Sequence, residues 1–251
     1  MLTNSEIWYG IMKNEVKDLE EVDRLLLRRI VEVPTSTPIE SFYLELGLSP
    51  INAIIKARRI NYLHYLVSLE DTEMLSRFFQ SQWRFPIKND WVNQVKDDFK
   101  DFNLNYQLSE IKLISKTSWK KRVKLKMKEY SLDQLNKLKG NHSKMEELFY
   151  PELRLQNYLK DVEISVPVAK NLFRWRTRTA KFKLNYKGSY LSFACPSCLV
   201  QPDSQAHSVQ CPVVKQNVEV KGEYKDIFTE DIPADIANTL LKISTLRKEI
   251  I

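Results

Sequence analysis

The stretch CPSCLVQPDSQAHSVQC (195–211) contains all three cysteines of the 251-residue chain and one of its three histidines. The four residues follow the pattern Cys195-x2-Cys198-x8-His207-x3-Cys211. Thiolate and imidazole groups are the ligands that tetrahedral zinc prefers, and two cysteines separated by two residues can bind one ion from a short loop. His207 and Cys211 are about one helical turn apart. The pattern predicts a structural zinc site whose four protein ligands leave no position for a catalytic water.

Three other interpretations of this stretch compete with zinc: a disulfide pair with a spare thiol, a redox-active Cys-x-x-Cys, and a chance grouping. The odd number of cysteines argues against a set of disulfides. The first residues, MLTNSE, do not resemble a signal peptide, so we expect an intracellular protein of the nucleus or the cytoplasm. A redox pair would leave His207 and Cys211 without a role. Zinc is the interpretation that uses all four residues.

The net charge of +7 is concentrated in two stretches of the chain. KLISKTSWKKRVKLKMK (112–128) holds eight basic side chains and KNLFRWRTRTAKFKLNYK (170–187) holds seven, and neither contains an acidic residue. The remainder of the chain is therefore net negative by eight charges. Two basic segments on a mildly acidic protein predict a surface that binds a polyanion such as RNA or DNA.

The side chains expected to contact nucleic acid fall into two groups. Those of the first stretch would follow a phosphate backbone without reading its sequence, and they are Lys120, Lys121, Arg122, Lys124, Lys126 and Lys128. A solvated basic helix or a nuclear localisation signal is the alternative. Those of the second stretch are Arg174, Arg176, Arg178, Lys181 and Lys183. Aromatic residues interleave with this second group, and they either stack on unpaired bases or belong to the core.

Helical periodicity dominates the sequence, which predicts a mainly α fold: an irregular helical bundle with a C-terminal β-hairpin and CCHC zinc-knuckle module. One long amphipathic helix is expected over 5–33, with an apolar stripe of Ile7, Ile11, Leu19, Val22, Leu26 and Ile30. Further helices are expected over 50–69 and from about residues 71, 89, 131, 150, 167 and 233. The alternating stretch KFKLNYKGSYLSFACP (181–196) predicts the hairpin, with its turn at Lys187 and Gly188 and Tyr190 in its second strand. No apolar run reaches the roughly 18 residues of a membrane span, so a membrane is not expected as a partner. A small-molecule substrate is not expected either.

Four blocks occur in a recognisable order: SFYLELGLSPINAIIKARRINYLHYL (41–66), QSQWRFPIKNDWVNQVKDDF (80–99), LFRWRTRTAKFKLNYKGSY (172–190) and a CCHC motif containing DSQAH. Together they resemble the C-terminal part of the reverse-transcriptase polyproteins of LINE-type (non-LTR) retrotransposons, over nearly the whole chain. In that family the region follows the polymerase palm. The resemblance implies a helical thumb-like domain (1–104), a basic helical linker region (105–166), and a segment with a basic helix, hairpin, zinc knuckle and closing helix (167–251).

In that family the knuckle helps to grip the template RNA or the target DNA during target-primed reverse transcription. The resemblance thus implies zinc ligation by the four residues of the CCHC motif and nucleic-acid contact near Arg174, Arg176 and Arg178. The family commonly has four residues between the histidine and the last cysteine, whereas this chain has three. Because the resemblance is to an internal region of a polyprotein, it also suggests a fragment gene or a retained remnant.

Catalytic motifs are weak in this sequence. A reverse transcriptase needs paired aspartates for two metal ions, but the single Asp-Asp, Asp97-Asp98, lies in a helical pattern and is interpreted as a solvated helix face. A nuclease-like Pro-Asp…Glu-x-Lys pattern places Asp203 inside the zinc loop, with Glu219 and Lys221 beyond it. Only 40 residues follow Cys211, too few for a separate nuclease core. We therefore expect a non-catalytic nucleic-acid-binding protein, with a zinc-braced protein-interaction module or an unselected retroelement remnant as alternatives.

Overall fold

A computed structural model of the chain describes residues 2–8, 13–88, 90–140, 142–148, 150–189 and 191–250. These residues form helices and contain no strand, which confirms the prediction of a mainly α fold. The eleven α-helices of the described residues are α1 Lys13–Val31, α2 Ile39–Leu46, α3 Ile51–Ser68, α4 Met74–Arg84, α5 Trp91–Asp101, α6 Leu108–Leu113, α7 Lys116–Lys139, α8 Val166–Arg176, α9 Gln205–Gln210, α10 Pro212–Asn217 and α11 Ala234–Ile250. Short 3-10 segments cover Ser143–Met145, Asn157–Leu159, Lys183–Ser189 and Tyr224–Phe228.

The chain divides into two compact units. Unit 1 comprises Met1–Asp23 and Ser49–Gln134, and unit 2 comprises Arg24–Leu48 and Leu135–Ile251. The three functional segments that the sequence suggests, 1–104, 105–166 and 167–251, stay a prediction.

Helix α3 is the centre of unit 1, where it packs against α4, α5 and α6. Its apolar residues Ile60 and Leu63 are fully buried, together with Trp119 of α7. The Trp119 indole Nε1 donates a hydrogen bond to the carbonyl oxygen of Ile60 at 3.3 Å, and its ring stacks on His64. Burial of so large an aromatic side chain fixes the first turns of α7 against the core.

The Asp97-Asp98 pair of α5 is not the solvated helix face that the sequence suggests. The Asp97 side chain is 69% exposed, but Asp98 is buried. Two nitrogens of Arg59 approach the Asp98 carboxylate at 2.7 and 2.9 Å, and Lys56 donates to it at 3.2 Å. A buried carboxylate needs such partners, since an unpaired charge in the core is strongly unfavourable.

The core of unit 2 lies between α8 and α11, which pack against each other. Trp175 is fully buried, contacts Phe182 edge to face with ring centroids 5.0 Å apart, and donates from Nε1 to the Ser244 hydroxyl at 3.0 Å. The buried sulfurs of Cys195 and Cys211 belong to this same cluster of core residues. The predicted metal site therefore lies directly on the hydrophobic core of unit 2.

Helix α2 ends at a glycine that allows a close approach of the backbone. Gly47 has a φ of +64°, and a Cβ at this position would lie 2.1 Å from the carbonyl carbon of Arg154. Next to it, Leu46 and Leu155 form an isolated antiparallel bridge, and Gln156 N–H donates to the Glu45 carbonyl oxygen at 3.1 Å. Glycine is suited here because it has no side chain and tolerates a positive φ.

The predicted hairpin over 181–196 is wrong for the residues that the structure describes. Instead of extending, Lys183–Ser189 forms 3-10 turns with a kink at Tyr186, and Tyr190 lies outside the described residues. The reason is that the backbone N–H groups of Lys183 and Leu184 donate to the side chain and the carbonyl oxygen of Asp203. Those donors are therefore not available for a strand ladder.

Three helix predictions also need correction. The helix expected over 5–33 does not include the described residues 5–8, which are not helical. Four residues of its expected apolar stripe are more than half exposed, namely Ile7, Val22, Leu26 and Ile30, and Ile11 lies outside the described residues. The helix expected to begin at about residue 131 is a continuation of α7, and no α-helix begins at about residue 150 in the described part of the chain. At Ser131 the hydroxyl donates back to the Met127 carbonyl oxygen at 2.7 Å, an arrangement compatible with the interior of a helix.

Candidate metal centre and basic surfaces

The first two ligands of the candidate metal centre lie on one tight loop. The N–H of Cys195 donates to the carbonyl oxygen of Gln201, and the N–H of Leu199 donates to the carbonyl oxygen of Cys195, both at 2.8 Å. Leu199 has a φ of +60°, and an antiparallel bridge between Ala194 and Pro202 closes the base of the loop. These backbone bonds turn both thiols of the Cys-x2-Cys toward one point.

The other two ligands lie on and after the short helix α9. The Ser204 hydroxyl caps the helix by accepting from the backbone N–H of His207 at 3.0 Å. Cys211 follows the helix by one residue and is also the N-cap of α10. The predicted spacing of one helical turn between imidazole and thiol is therefore present in the fold.

The four ligand atoms converge. The sulfur atoms of Cys195, Cys198 and Cys211 and a ring nitrogen of His207 all lie within 4.8 Å of one another. The distance from Cys198 Sγ to His207 Nε2 is 3.3 Å. Atoms bound at about 2.0–2.3 Å from a tetrahedral zinc ion would lie about 3.3–3.8 Å apart, so a small contraction completes the geometry. This clustering confirms the predicted ligand set as a group that can hold a metal ion.

The local electrostatics favour a thiolate at one of the four positions. Backbone N–H groups of Gln201 and Val200, followed by the side chains of His207 and Cys195, lower the pKa of the Cys198 thiol to about 6. Burial raises the pKa of the Cys211 thiol. A metal ion requires deprotonated cysteines, so Cys198 is suited to be the first ligand that binds.

Asp203, the aspartate of the nuclease-like pattern, has a structural role in this loop. It is 1% exposed and pairs with Arg247 of α11 at 2.8 Å, in addition to accepting from the backbone of Lys183 at 2.9 Å. Glu219 is exposed. The sequence carries no signal of the ion pair between Asp203 and Arg247, because no local pattern connects residues 44 positions apart.

The six basic residues of the first stretch that are expected to contact nucleic acid lie on α7, outside the core stripe formed by Trp119 and Val123. Lys120, Lys121 and Lys124 are exposed, and Lys128 is half-buried. Two members of the predicted set have partners: Arg122 contacts the hydroxyl and the ring of Tyr106, and Lys126 pairs with Glu129 at 2.7 Å. The other members are Lys120, Lys121, Lys124 and Lys128, and no described acidic residue forms an ion pair with them.

The second set of predicted contacts is divided by the fold. Arg174 is half-buried, with its guanidinium 2.6 Å from the Glu32 carbonyl oxygen, and Lys181 is exposed. Arg178 pairs with Glu147 at 2.7 Å, and the Lys183 ammonium donates to the Ala194 carbonyl oxygen at 2.9 Å. The aromatic residues Phe173, Trp175 and Phe182 are all buried, so the core interpretation holds for them.

Arg176 does not lie on the surface at all. Arg176 is only 1% exposed. Its Nε lies 2.7 Å from Glu45 Oε1, and its Nη1 donates to the carbonyl oxygens of Ile227 and Thr229. Tyr150 and Tyr158 complete the cluster by donating to the same carboxylate at 2.5 and 2.9 Å. Because the fold encloses the guanidinium, Arg176 is not available to contact a phosphate in this structure, and we no longer expect it to bind nucleic acid.

Comparison of the chain with protein families, with curated proteins and with solved structures finds no match. None of the described helices is both long and apolar enough to cross a membrane. Function is therefore inferred from the geometry of the candidate metal centre and from the distribution of charge.

Proposed function

We propose that this chain is a non-catalytic nucleic-acid-binding protein that contacts RNA or DNA through the cationic side of α7 and uses a Cys3His zinc module as a structural brace. The observation that carries the proposal is the free cation group of α7, defined as Lys120, Lys121, Lys124 and Lys128, for which no ion pair with a described acidic residue is found. Cations without local partners are available to neutralise phosphates and release counterions.

Zinc is the proposed metal because three thiolates and one imidazole in a compact cluster match its preferred ligands. Four protein ligands would close the coordination shell, which favours a structural role. When bound, the ion would link the loop of Cys195 and Cys198 to α9 and thereby brace the core of unit 2. The resemblance to the C-terminal part of LINE-type reverse-transcriptase polyproteins agrees with this proposal, and we propose that origin for the chain.

The acidic residues support a role without catalysis. Asp97 pairs with Lys100 at 2.9 Å, whereas Asp98 is held by Arg59, so the two carboxylates of the single Asp-Asp are directed to different partners. Asp203 is committed to Arg247. Among the described residues, the Cys3His group is the cluster whose atoms could hold an ion. A two-metal reaction would need a different arrangement of carboxylates.

The test is fluorescence anisotropy with labelled single-stranded RNA and DNA between about 50 and 200 mM salt, the range in which phosphate contacts weaken measurably. Replacing Lys120, Lys121 and Lys124 together by glutamine should reduce the slope of log K against log salt by about 2, since each single-strand contact contributes about 0.7. The matched control replaces Lys100, Lys221 and Lys225, which pair with acidic residues, and changes the net charge equally. An equal effect of both triple variants, or no salt-dependent binding, would contradict the proposal.

A protein-interaction module is the second candidate, and one observation favours it. Met74, Phe78 and Phe85, in or next to α4, are 88%, 60% and 78% exposed. Large apolar side chains that share one region of a surface often mark a site of contact with another protein. The anisotropy test separates the two candidates, because this alternative predicts no salt-dependent affinity for oligonucleotides.

A further inference from the structure

A cavity of about 740 Å³ lies in unit 2, lined by residues of α8, of α11 and of the turn 179–182. Its volume is within the range of about 300–1,000 Å³ that is typical of small-ligand sites. Val166, Pro167 and Leu241 contribute apolar surface to its walls. The cavity is separate from the candidate metal centre, since none of the four metal-binding residues lines it.

Basic side chains outnumber acidic ones in the lining of the cavity. The basic residues that line it are Lys170, Arg174, Lys181, Arg247 and Lys248. Among the described lining residues, Glu32 alone is acidic. Lys170 lies 2.6 Å from the Glu32 carboxylate, which offsets that single negative charge. A half-open cleft with this excess of cations concentrates anions.

Two buried side chains of the wall carry donors that lack a partner. Asn171 is 6% exposed, and its Nδ2 has no hydrogen-bond acceptor among the described residues. Arg247 is 3% exposed; its Nη2 is held by Asp203, but its Nη1 likewise has no acceptor in the described part of the chain. Buried donors without partners are unfavourable, so a native protein usually satisfies them with water or a ligand.

We infer that this cavity, called here the phosphate groove, binds the phosphate monoester of a nucleotide unit. Such a group carries a charge of about −1.5 to −2 and three strong acceptor oxygens, which suit both the cationic lining and the two donors without partners. The apolar wall formed by Val166, Pro167 and Leu241 would contact the sugar or base. The phosphate has two sources: a free nucleotide, or the phosphorylated 5′ end of a bound strand, for which the inference rests on the proposed function.

The first experiment uses the full-length chain and compares adenosine 5′-monophosphate with adenosine by isothermal titration calorimetry. We expect the monophosphate to bind at least tenfold more tightly. In parallel, anisotropy compares one oligonucleotide with and without a 5′-phosphate. A preference for the nucleotide identifies the free ligand as a source, and a preference for the phosphorylated strand identifies the strand end.

Two variants test whether residues of the phosphate groove bind the phosphate. Asn171→Leu removes one buried donor at similar volume and should weaken binding of the preferred phosphate ligand at least tenfold. The double variant Lys170→Gln/Lys181→Gln removes a half-buried and an exposed cation of the groove and should also weaken binding of the phosphate ligand. This variant keeps the inference testable even if Asn171→Leu does not fold. Lys160→Gln/Lys215→Gln is the control, since it removes the same charge from exposed positions of unit 2 outside the groove. Equal effects of the two double variants would overturn the inference.

The outcomes separate this inference from the proposed function. Salt-dependent binding of oligonucleotides with no preference for either phosphate ligand would overturn the groove and leave the proposed function standing. Tight binding of the monophosphate without binding of any strand would support the groove and overturn the proposed function.

Discussion

Arg176 Nε lies 2.7 Å from Glu45 Oε1, and the two side chains, which are 131 residues apart in sequence, are 2% and 0% exposed. Two tyrosine hydroxyls donate to the same carboxylate, and Arg176 Nη1 donates to the carbonyl oxygens of Ile227 and Thr229. This buried pair connects the end of α2 to the last turn of α8 within unit 2. An arginine in a segment of surface-like composition is therefore part of the framework of the fold.

Removing the arginine should destabilise the protein strongly. We expect Arg176→Met to lower the free energy of unfolding by about 3–5 kcal/mol, because it leaves the Glu45 carboxylate buried without its cation. Arg174→Met, on the same helix and partly exposed, should lower it by no more than about 1 kcal/mol. Urea unfolding followed by circular dichroism measures both. Similar losses in the two variants would show that the pair has no special role.

The same cluster predicts a loss of stability at alkaline pH. Burial, followed by the charge of Glu45, raises the pKa of Tyr158 well above its usual value of 10. Below pH 10 both states keep the phenol proton; above it the unfolded chain releases the proton while the native state keeps it, so the free energy of unfolding falls as the pH rises.

Tyr158→Phe should therefore lose less stability than the unmodified chain between about pH 9.5 and 11.5, even though it is less stable by about 1 kcal/mol at pH 8 through the lost hydrogen bond. Urea unfolding at each pH gives the comparison. Tyr65→Phe, which changes an exposed tyrosine outside this cluster, is the matched control. Parallel pH dependence of all three proteins would contradict the assignment.

The metal centre predicts one zinc ion per chain under reducing conditions. Elemental mass spectrometry of the purified chain measures the content, and Cys198→Ser should abolish stoichiometric binding because it removes one of four ligands. Ser192→Ala, an exposed change in the preceding segment, should keep the metal. A chelator should lower the Tm of the unmodified chain and leave that of Cys198→Ser unchanged. A chain purified without metal would contradict the zinc assignment.

Adjacent aspartates of α5 should behave differently. Asp98→Asn leaves Arg59 buried with weaker acceptors, and we expect a loss of about 3–5 kcal/mol in the stability of unit 1. Asp97→Asn changes an exposed pair with Lys100 and should alter stability by less than about 1 kcal/mol. Chemical denaturation of both variants makes the comparison, and equal effects would show that the contacts of Asp98 with Arg59 contribute little.

Some features of this protein depend on local chemistry, and the sequence by itself was sufficient for them. The helices over α3, α8 and α11 follow from apolar periodicity and start signals within single segments. The metal ligands could also be predicted from the sequence, because a Cys-x2-Cys and a His-x3-Cys place their ligand atoms through short-range geometry alone. The buried state of Phe173 and Phe182 was one of two interpretations that the sequence left open.

Other features depended on contacts between distant segments, and only the tertiary structure decided them. Arg176 and Arg174 are two residues apart with the same chemistry, yet Glu45 and the carbonyl oxygens of 227 and 229 enclose the first, while the second lines the phosphate groove. The alternating stretch from residue 181 did not become a hairpin because Asp203 takes its backbone donors. The physical reason is the same in each case: burial and hydrogen bonding are set by whichever partner the fold brings near, and periodicity along the chain does not specify that partner.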